Sequence, residues 1–294
     1  MQESENDILK RVRKIEIKTR GLSNEIFAGK YHTAFRGRGM SCSEVREYRP
    51  GDDVRDIDWN VTARARKPHI KTYEEERELT MMLLVDGSGS RMFGTTDRLK
   101  KNVITEIAAV LAFSAAQNND KVGCIFFSDR IEKFIPPKKG RSHILMIIRE
   151  LIGFVPRSSG TRLSEPIRFL TNVNKKHTTS FILSDFMDAP SDDADLADAL
   201  KIAGSRHDLV GIRVYDPREQ TLPDVGIVEM KDAETGRKVW VDTSSRRVRD
   251  HYAAHWQQNA GRLADTLRHH RIDTAEVAPD ADYVVRLIKL FKQR

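Results

Sequence analysis

The chain is poor in the features that mark several protein classes. Only two of its 294 residues are cysteine, Cys42 and Cys124, too few for a disulfide framework. Cys124 also falls in the apolar run 122–127, where a small thiol packs as a hydrophobe. No apolar run approaches the ~20 residues needed to cross a bilayer. Residues 1–7 are polar and acidic, not basic and then apolar as in a leader. A cytoplasmic protein is expected from these absences, with any membrane association made through a partner. Aromatic residues amount to 7%. They do not interleave with the basic stretches at 59–73 and 268–271, which argues against a stacking surface for nucleic acid. The nine histidines lack metal-ligand spacing with cysteine or glutamate, and His269 and His270 read as a solvated helix end.

What is present is a hydrophobic content of 39%, enough for one well-buried α/β domain with a smaller appended region. Fifty Lys and Arg against 43 Asp and Glu give a net charge of +7. The two signs are interspersed, as on an ordinary solvated surface. Ile8, Val12 and Ile15 recur at helical spacing, so a short amphipathic helix is expected to open the chain, ended by a turn at Gly21. Between Tyr31 and Tyr73 the glycines and the Pro50-Gly51-Asp52 turn punctuate short segments that read as small strands, with Ile57 and Trp59 as core anchors. Residues 1–78 are therefore expected to hold the opening helix and a β-rich accessory lobe, and residues 79–294 the main domain.

In the main domain strands and helices alternate. Strands are expected at 79–85, 122–127, 179–183, 209–214 and 273–277, with an edge strand near 131–135 and a short one at 237–241. Leu99, Val103, Ile107, Val110 and Leu111 mark one face of a long helix, and further helices are expected at 142–152, 163–170, 196–203, 244–269 and 283–291. This alternation implies an α/β fold with an open, mostly parallel sheet covered by helices on both faces. Ligand sites in such sheets lie at the carboxyl ends of the strands.

One such end carries an unusual set of oxygens. Asp86-Gly87-Ser88-Gly89-Ser90 follows the first buried strand directly, Ser158-Ser159-Gly160-Thr161 precedes a helix, and Ser184-Asp185 follows another strand. Asp86, Ser88, Ser90, Thr161 and Asp185 are all hard donors. Mg²⁺ takes near-octahedral oxygen coordination and is held by one or two carboxylates plus neutral oxygens and an outside ligand. Alone, an Asp-x-Ser-x-Ser turn is also a common helix-capping loop; the matching oxygens at the two other strand ends favour the metal reading.

This pattern resembles the metal-ion-dependent adhesion site of von Willebrand factor A domains. Residues 44–59, Glu-Val-Arg-Glu-Tyr-Arg-Pro-Gly-Asp-Asp-Val-Arg-Asp-Ile-Asp-Trp, with Ala63-Arg64 after them, resemble the hallmark of the bacterial DUF58 proteins, a branch of that superfamily. The resemblance implies a Rossmann-like sheet, a bound Mg²⁺ or similar cation such as Mn²⁺, and no catalytic residue. It also implies a partnership with MoxR-type AAA+ ATPases, as an adaptor in chaperone-like remodelling or cofactor insertion. By the same resemblance Ser88 and Ser90 would bind the metal directly. Thr161, Asp86 and Asp185 would bind directly or through water, and a partner's Asp or Glu would complete the coordination. Arg91 stands where relatives commonly have Met, and its charge would either repel the metal or help receive an acidic partner. Many relatives carry N-terminal membrane helices that this chain lacks, so a membrane-proximal role does not transfer.

Arg46, Arg49 and Arg55 are candidates for partner contact. The dense charges around them read equally as a structural lock of the lobe or as a docking surface. Two other functions compete with an interaction module. A metal-dependent phosphohydrolase would use Asp86 as nucleophile, but Ser88 replaces the second acid expected two residues on, and no lysine stands in a comparable loop. P-loop and nucleophile-elbow patterns are both missing. A structural scaffold with a vestigial metal site is the third class.

Overall fold

The structure is a computed structural model that describes residues 10, 41–74, 79–92, 99–186, 194–231, 236–279 and 282–294. The helix expected at Ile8, Val12 and Ile15 and the turn at Gly21 lie outside the described residues. The chain divides into two compact units, one formed by Phe35–Leu79 and the other containing Thr80–Arg294.

The smaller unit pairs β1 (Ser41–Glu47) antiparallel with β2 (His69–Glu74). The connection between them is partly helical: a 3-10 turn at Val54–Asp56 and α1 (Trp59–Ala65). The helix start is legible in its cap, since the Asp58 carboxylate accepts from the Asn60 and Val61 N–H groups at 2.9 and 3.2 Å. Ile57 bridges Ile70, as an anchor should. Trp59 does not act as one. It is 70% exposed, because it opens α1 on the turn's outer side, where a strand reading had counted it inward.

The larger unit is built on a six-stranded sheet of β3 (Thr80–Asp86), β4 (Lys121–Phe127), β5 (Ile131–Lys138), β6 (Thr179–Ser184), β7 (Asp208–Val214) and β10 (Asp273–Val277). Their spatial order is β10-β7-β6-β3-β4-β5, and only β5 runs antiparallel. β3, β4, β6 and β7 are buried almost end to end, as strands covered on both faces must be. At the β5 edge, Pro136 and Pro137 oppose the single residue Gly123 where the register shifts. Prolines at a bulged edge remove donors that would otherwise invite pairing with another chain.

On one face Met82, Leu84, Ile125, Phe127 and Ile182 pack under α4 (Ser164–Val173), α5 (Ala194–Arg206) and the C-terminal half of α7 (Arg246–His269). The other face is covered in part by α2 (Lys100–Gln117), α3 (Arg141–Gly153) and α8 (Tyr283–Gln293). α2 is more deeply buried than a one-faced helix: from Val103 to Ala115 only Glu106 is not buried. α6 (Pro217–Gln220) follows β7. The strand expected at 237–241 exists as β9 (Lys238–Asp242), but it pairs with β8 (Ile227–Lys231) in a separate hairpin and not with the main sheet.

Because β4 and β6 flank β3 on opposite sides, the chain order reverses at β3, and the crevice beside its carboxyl end is where such a sheet binds ligands. The central strands must be rigid for that crevice to hold its shape, and Gly123 shows how closely they are packed. A Cβ there would lie 2.6 Å from the Met82 sulfur and 3.0 Å from the Ile135 carbonyl oxygen. The carbonyl cannot retreat without loosening the β4–β5 pairing. Gly123→Val is therefore expected to destabilise the protein by about 1–3 kcal/mol, read as a lower urea midpoint with an unchanged slope; a midpoint equal to wild type would contradict this packing.

Candidate metal centre

The Asp86 carboxylate is buried at the last position of β3. Its Oδ1 accepts from the Ser88 N–H at 2.8 Å and its Oδ2 from the Ser184 hydroxyl at 2.5 Å. The second bond ties the end of β6 to the end of β3. Ser184 Oγ in turn accepts from the Phe186 N–H at 3.0 Å. Phe186 is buried with φ at 56°, an unfavoured conformation for a bulky residue. The Ser184 bond and this conformation fix the backbone on either side of Asp185.

Gly87 is required by close approach, not by its backbone angles. A Cβ would fall 2.5 Å from the Phe154 ring and 3.1 Å from the Phe127 carbonyl, the same carbonyl that accepts the Gly87 N–H at 2.6 Å. The loop is thus pressed against β4, and the Ser88 and Ser90 hydroxyls stand 3.0 Å apart, both buried. The loop before α4 is tied to it: the Gly89 N–H donates to the Ser159 carbonyl at 2.9 Å, and the Arg162 N–H donates to the Ser128 carbonyl at 3.1 Å. Glu132 braces that loop from β5, its Oε1 accepting from Ser128 Oγ and from the Arg157 and Ser158 N–H groups at 2.8, 3.1 and 3.2 Å. Thr161 lies on this braced segment, between Ser159 and Arg162.

Segments 86–90, 158–161 and 184–185, separated by about a hundred residues of sequence, therefore meet at one rim of the sheet. Arg91 lies in the 3-10 turn Gly89–Met92, and its side chain is outside the described residues.

The donor set suits a small hard cation. Octahedral coordination at the Mg–O distance of about 2.0–2.1 Å puts neighbouring oxygens about 2.9 Å apart, close to the observed Ser88–Ser90 separation. Among the described residues no group of three or more His, Cys, Asp or Glu is arranged to hold a metal, so any site here depends on hydroxyl oxygens. Two buried carboxylates also share the rim. Burial, and then the charge of Asp185, raise the Asp86 pKa from 3.8 to about 6.

Lys100, the first residue of α2, is fully buried, with its ammonium 2.7 Å from Asp185 Oδ2 and 2.5 Å from Glu219 Oε1. Burial opposes its charge, yet Asp185 and Glu219 hold its pKa above the usual lysine value. Glu219 is oriented by a capping box at the start of α6, accepting the Asp216 N–H at 3.0 Å. A lysine therefore stands beside Asp185, at a helix start and not in the kind of loop that the sequence reading considered. Its signals were a cation in the first turn of a buried helix, where the helix dipole disfavours it, and the capping pattern Asp216-Pro217-Arg218-Glu219.

In the smaller unit the Arg46 guanidinium forks onto both oxygens of Asp52 at 2.9 and 2.7 Å, and this pairing holds the Asp52 carboxyl below the usual range. Arg46 thus closes the Pro50-Gly51 turn internally, with its side chain still 33% exposed. Arg49 is exposed, and Arg55 is exposed beside Asp53.

A mostly parallel six-stranded sheet flanked by helices, with its chain order reversing at β3, is the von Willebrand factor A type of fold. Solved structures agree. BatB from Bacteroides thetaiotaomicron is 14% identical and superposes with a TM-score of 0.51, covering 73% of this chain and 98% of that one. An aerotolerance-related membrane protein from Bacteroides fragilis is 15% identical, with a TM-score of 0.50 and coverage of 73% and 97%. The chain belongs to the DUF58 family, described as proteins of unknown function, whose profile matches residues 44–262. Similar full-length relatives include the uncharacterized proteins Rv1480 of Mycobacterium tuberculosis and Mb1516 of Mycobacterium bovis. Each is 28% identical over 287 residues, covering 96% of this chain and 88% of the relative. Among the described residues no helix is long and apolar enough to cross a membrane.

The raised Asp86 pKa has a stability consequence without divalent cations. A carboxyl whose folded pKa lies above its unfolded value stabilises the fold below the unfolded pKa and loses that contribution as pH rises toward the folded one. Apo protein should therefore lose stability between about pH 4 and pH 6, and Asp86→Asn should remove most of that slope. The variant should exceed wild type at pH 7 by on the order of 3 kcal/mol and match it near pH 4. Urea titrations in EDTA at the two pH values measure this; equal slopes for the two proteins would refute it.

Proposed function

We propose that this protein is a non-enzymatic interaction module in which a Mg²⁺ or Mn²⁺ ion, held by Ser88, Ser90, Thr161, Asp86 and Asp185, grips a carboxylate of a partner protein. The observation that carries the reading is the meeting of the paired Ser88 and Ser90 hydroxyls with two buried carboxylates at the β3–β6 switch point. When bound, the cation supplies a charge that an incoming Asp or Glu can ligate. The chain's own residues do the rest. Ser184 and the Ser88 N–H orient Asp86, Gly87 lets the loop lie against Phe154, and Glu132 keeps the 158–161 loop in place. A rigid, prearranged site of this kind binds with little ordering cost.

The partner we favour is a MoxR-type AAA+ ATPase, in line with the DUF58 hallmark at 44–59, with the protein acting as an adaptor in remodelling or cofactor insertion. Arg49 and Arg55, exposed on the smaller unit, are available to contact acidic residues of such a partner. The lack of any long apolar helix among the described residues fits a protein that works away from the bilayer core.

The phosphohydrolase reading gains Lys100, which stands beside Asp185. It still lacks an acid at position 88, and both oxygens of Asp86 are engaged by the Ser88 N–H and the Ser184 hydroxyl. An interaction module needs Asp86 only as an oriented anion.

Capture of the ATPase by the full-length protein is expected to depend on Mg²⁺, with recovery falling at least tenfold in EDTA and in Ser88→Ala or Asp86→Ala. Recovery unaffected by all three changes would leave a scaffold with a vestigial site. Turnover of a phosphate ester abolished by Asp86→Asn would instead establish the enzyme.

A further inference from the structure

Lys100 is the most deeply buried charge described at the rim, and the interaction-module reading assigns it no task. Its ammonium lies 2.7 Å from Asp185, one of the proposed metal ligands, and 2.5 Å from Glu219, which is not one of them. The groups around Asp185 include Asp86 and, at its backbone carbonyl, Arg213, whose Nε donates at 3.2 Å. Glu219 is fixed by the Asp216 N–H, so the ammonium is held from both sides. A divalent ion drawing on Asp185 must therefore share that carboxylate with a cation already installed. Sharing of this kind weakens the attraction, most strongly where water is excluded.

We infer that Lys100 is a positioning residue that deliberately weakens the site's hold on a free divalent cation, with Glu219 acting as the alternative seat to which the ammonium shifts when the cation engages Asp185. This rests on the metal reading above and deepens it. Tight cation binding then requires the extra negative charge of a partner's carboxylate, and the ion and the partner bind cooperatively, each raising the other's affinity by the same factor. A merely structural ion pair would show no such bias, since it would serve only to neutralise buried charge.

The two acids make opposite predictions, which separates this role from a net-charge effect. Glu219→Gln removes the alternative seat, commits Lys100 to Asp185 and should weaken Mn²⁺ affinity about tenfold. Lys100→Met combined with Glu219→Gln leaves the formal charge unchanged but releases Asp185, and should tighten Mn²⁺ affinity about tenfold.

The experiment is Mn²⁺ titration of the full-length protein, without partner, by calorimetry or electron paramagnetic resonance. Wild type, Ser88→Ala, Glu219→Gln and the double variant are compared, with circular dichroism confirming that each is folded. Weaker binding in Glu219→Gln and tighter binding in the double variant support the inference. If wild type binds and Ser88→Ala does not, but the double variant binds no more tightly than wild type, the inference falls while the metal reading stands. Equal binding or equal lack of binding by wild type and Ser88→Ala overturns both. Should the double variant fail to fold, Glu219→Gln decides, and affinity equal to or above wild type overturns the inference. A Mn²⁺-soaked crystal gives a second readout: the Lys100 ammonium is expected to stay on Glu219 and leave Asp185, and an unchanged Lys100–Asp185 contact would count against the shift.

Discussion

Two carboxylates, Asp86 and Asp185, are buried side by side at the rim where β3 and β6 end, and much of the surrounding structure compensates for that placement. Buried like charges are costly unless hydrogen bonds and counter-charges offset them. Here the Ser184 hydroxyl and the Ser88 N–H serve Asp86, and the Lys100 ammonium serves Asp185. The compensation is incomplete, as the raised pKa of Asp86 records. That residual cost is what a cation at the proposed site would relieve.

The fold makes this arrangement rigid by ordinary means. β3 and β6 are adjacent parallel strands in register from Met81–Thr179 to Val85–Leu183, so their last residues must lie together. The loops beyond them have little freedom. Gly87 is pinned between Phe154 and Phe127, the 157–158 backbone is clamped by Glu132, and the chain after Asp185 is turned by Phe186 in a left-handed conformation held by Ser184. Together they hold the hydroxyls and carboxylates of the rim in place.

The smaller unit has a different logic. Its densely charged turn is closed internally by the Arg46–Asp52 fork, a geometry in which both guanidinium nitrogens are used. Arg46 therefore shapes the turn, while Arg49 and Arg55 remain on its surface. Trp59, at the start of α1, is exposed as well.

Much of this was readable from residue order, because it depends on local periodicity. Apolar runs such as 81–85 and 122–127 have no polar face to show water, which marks them as central strands. Asp-x-Ser-x-Ser directly after the first of them, with Thr161 and Asp185 at later element ends, marks the rim that the fold then assembles. Long-range pairings leave no such trace. Nothing in the order of residues links Lys100 to Glu219, 119 positions away, or Glu132 to the 157–158 backbone, and Trp59 is as apolar in a helix's first turn as in a strand. The sequence by itself determined the element order, the sheet class and the oxygen-bearing positions, since each follows from side chains near in the chain. Only the tertiary structure decided which charges meet at the rim, because the partner of a buried ion is chosen by packing in space.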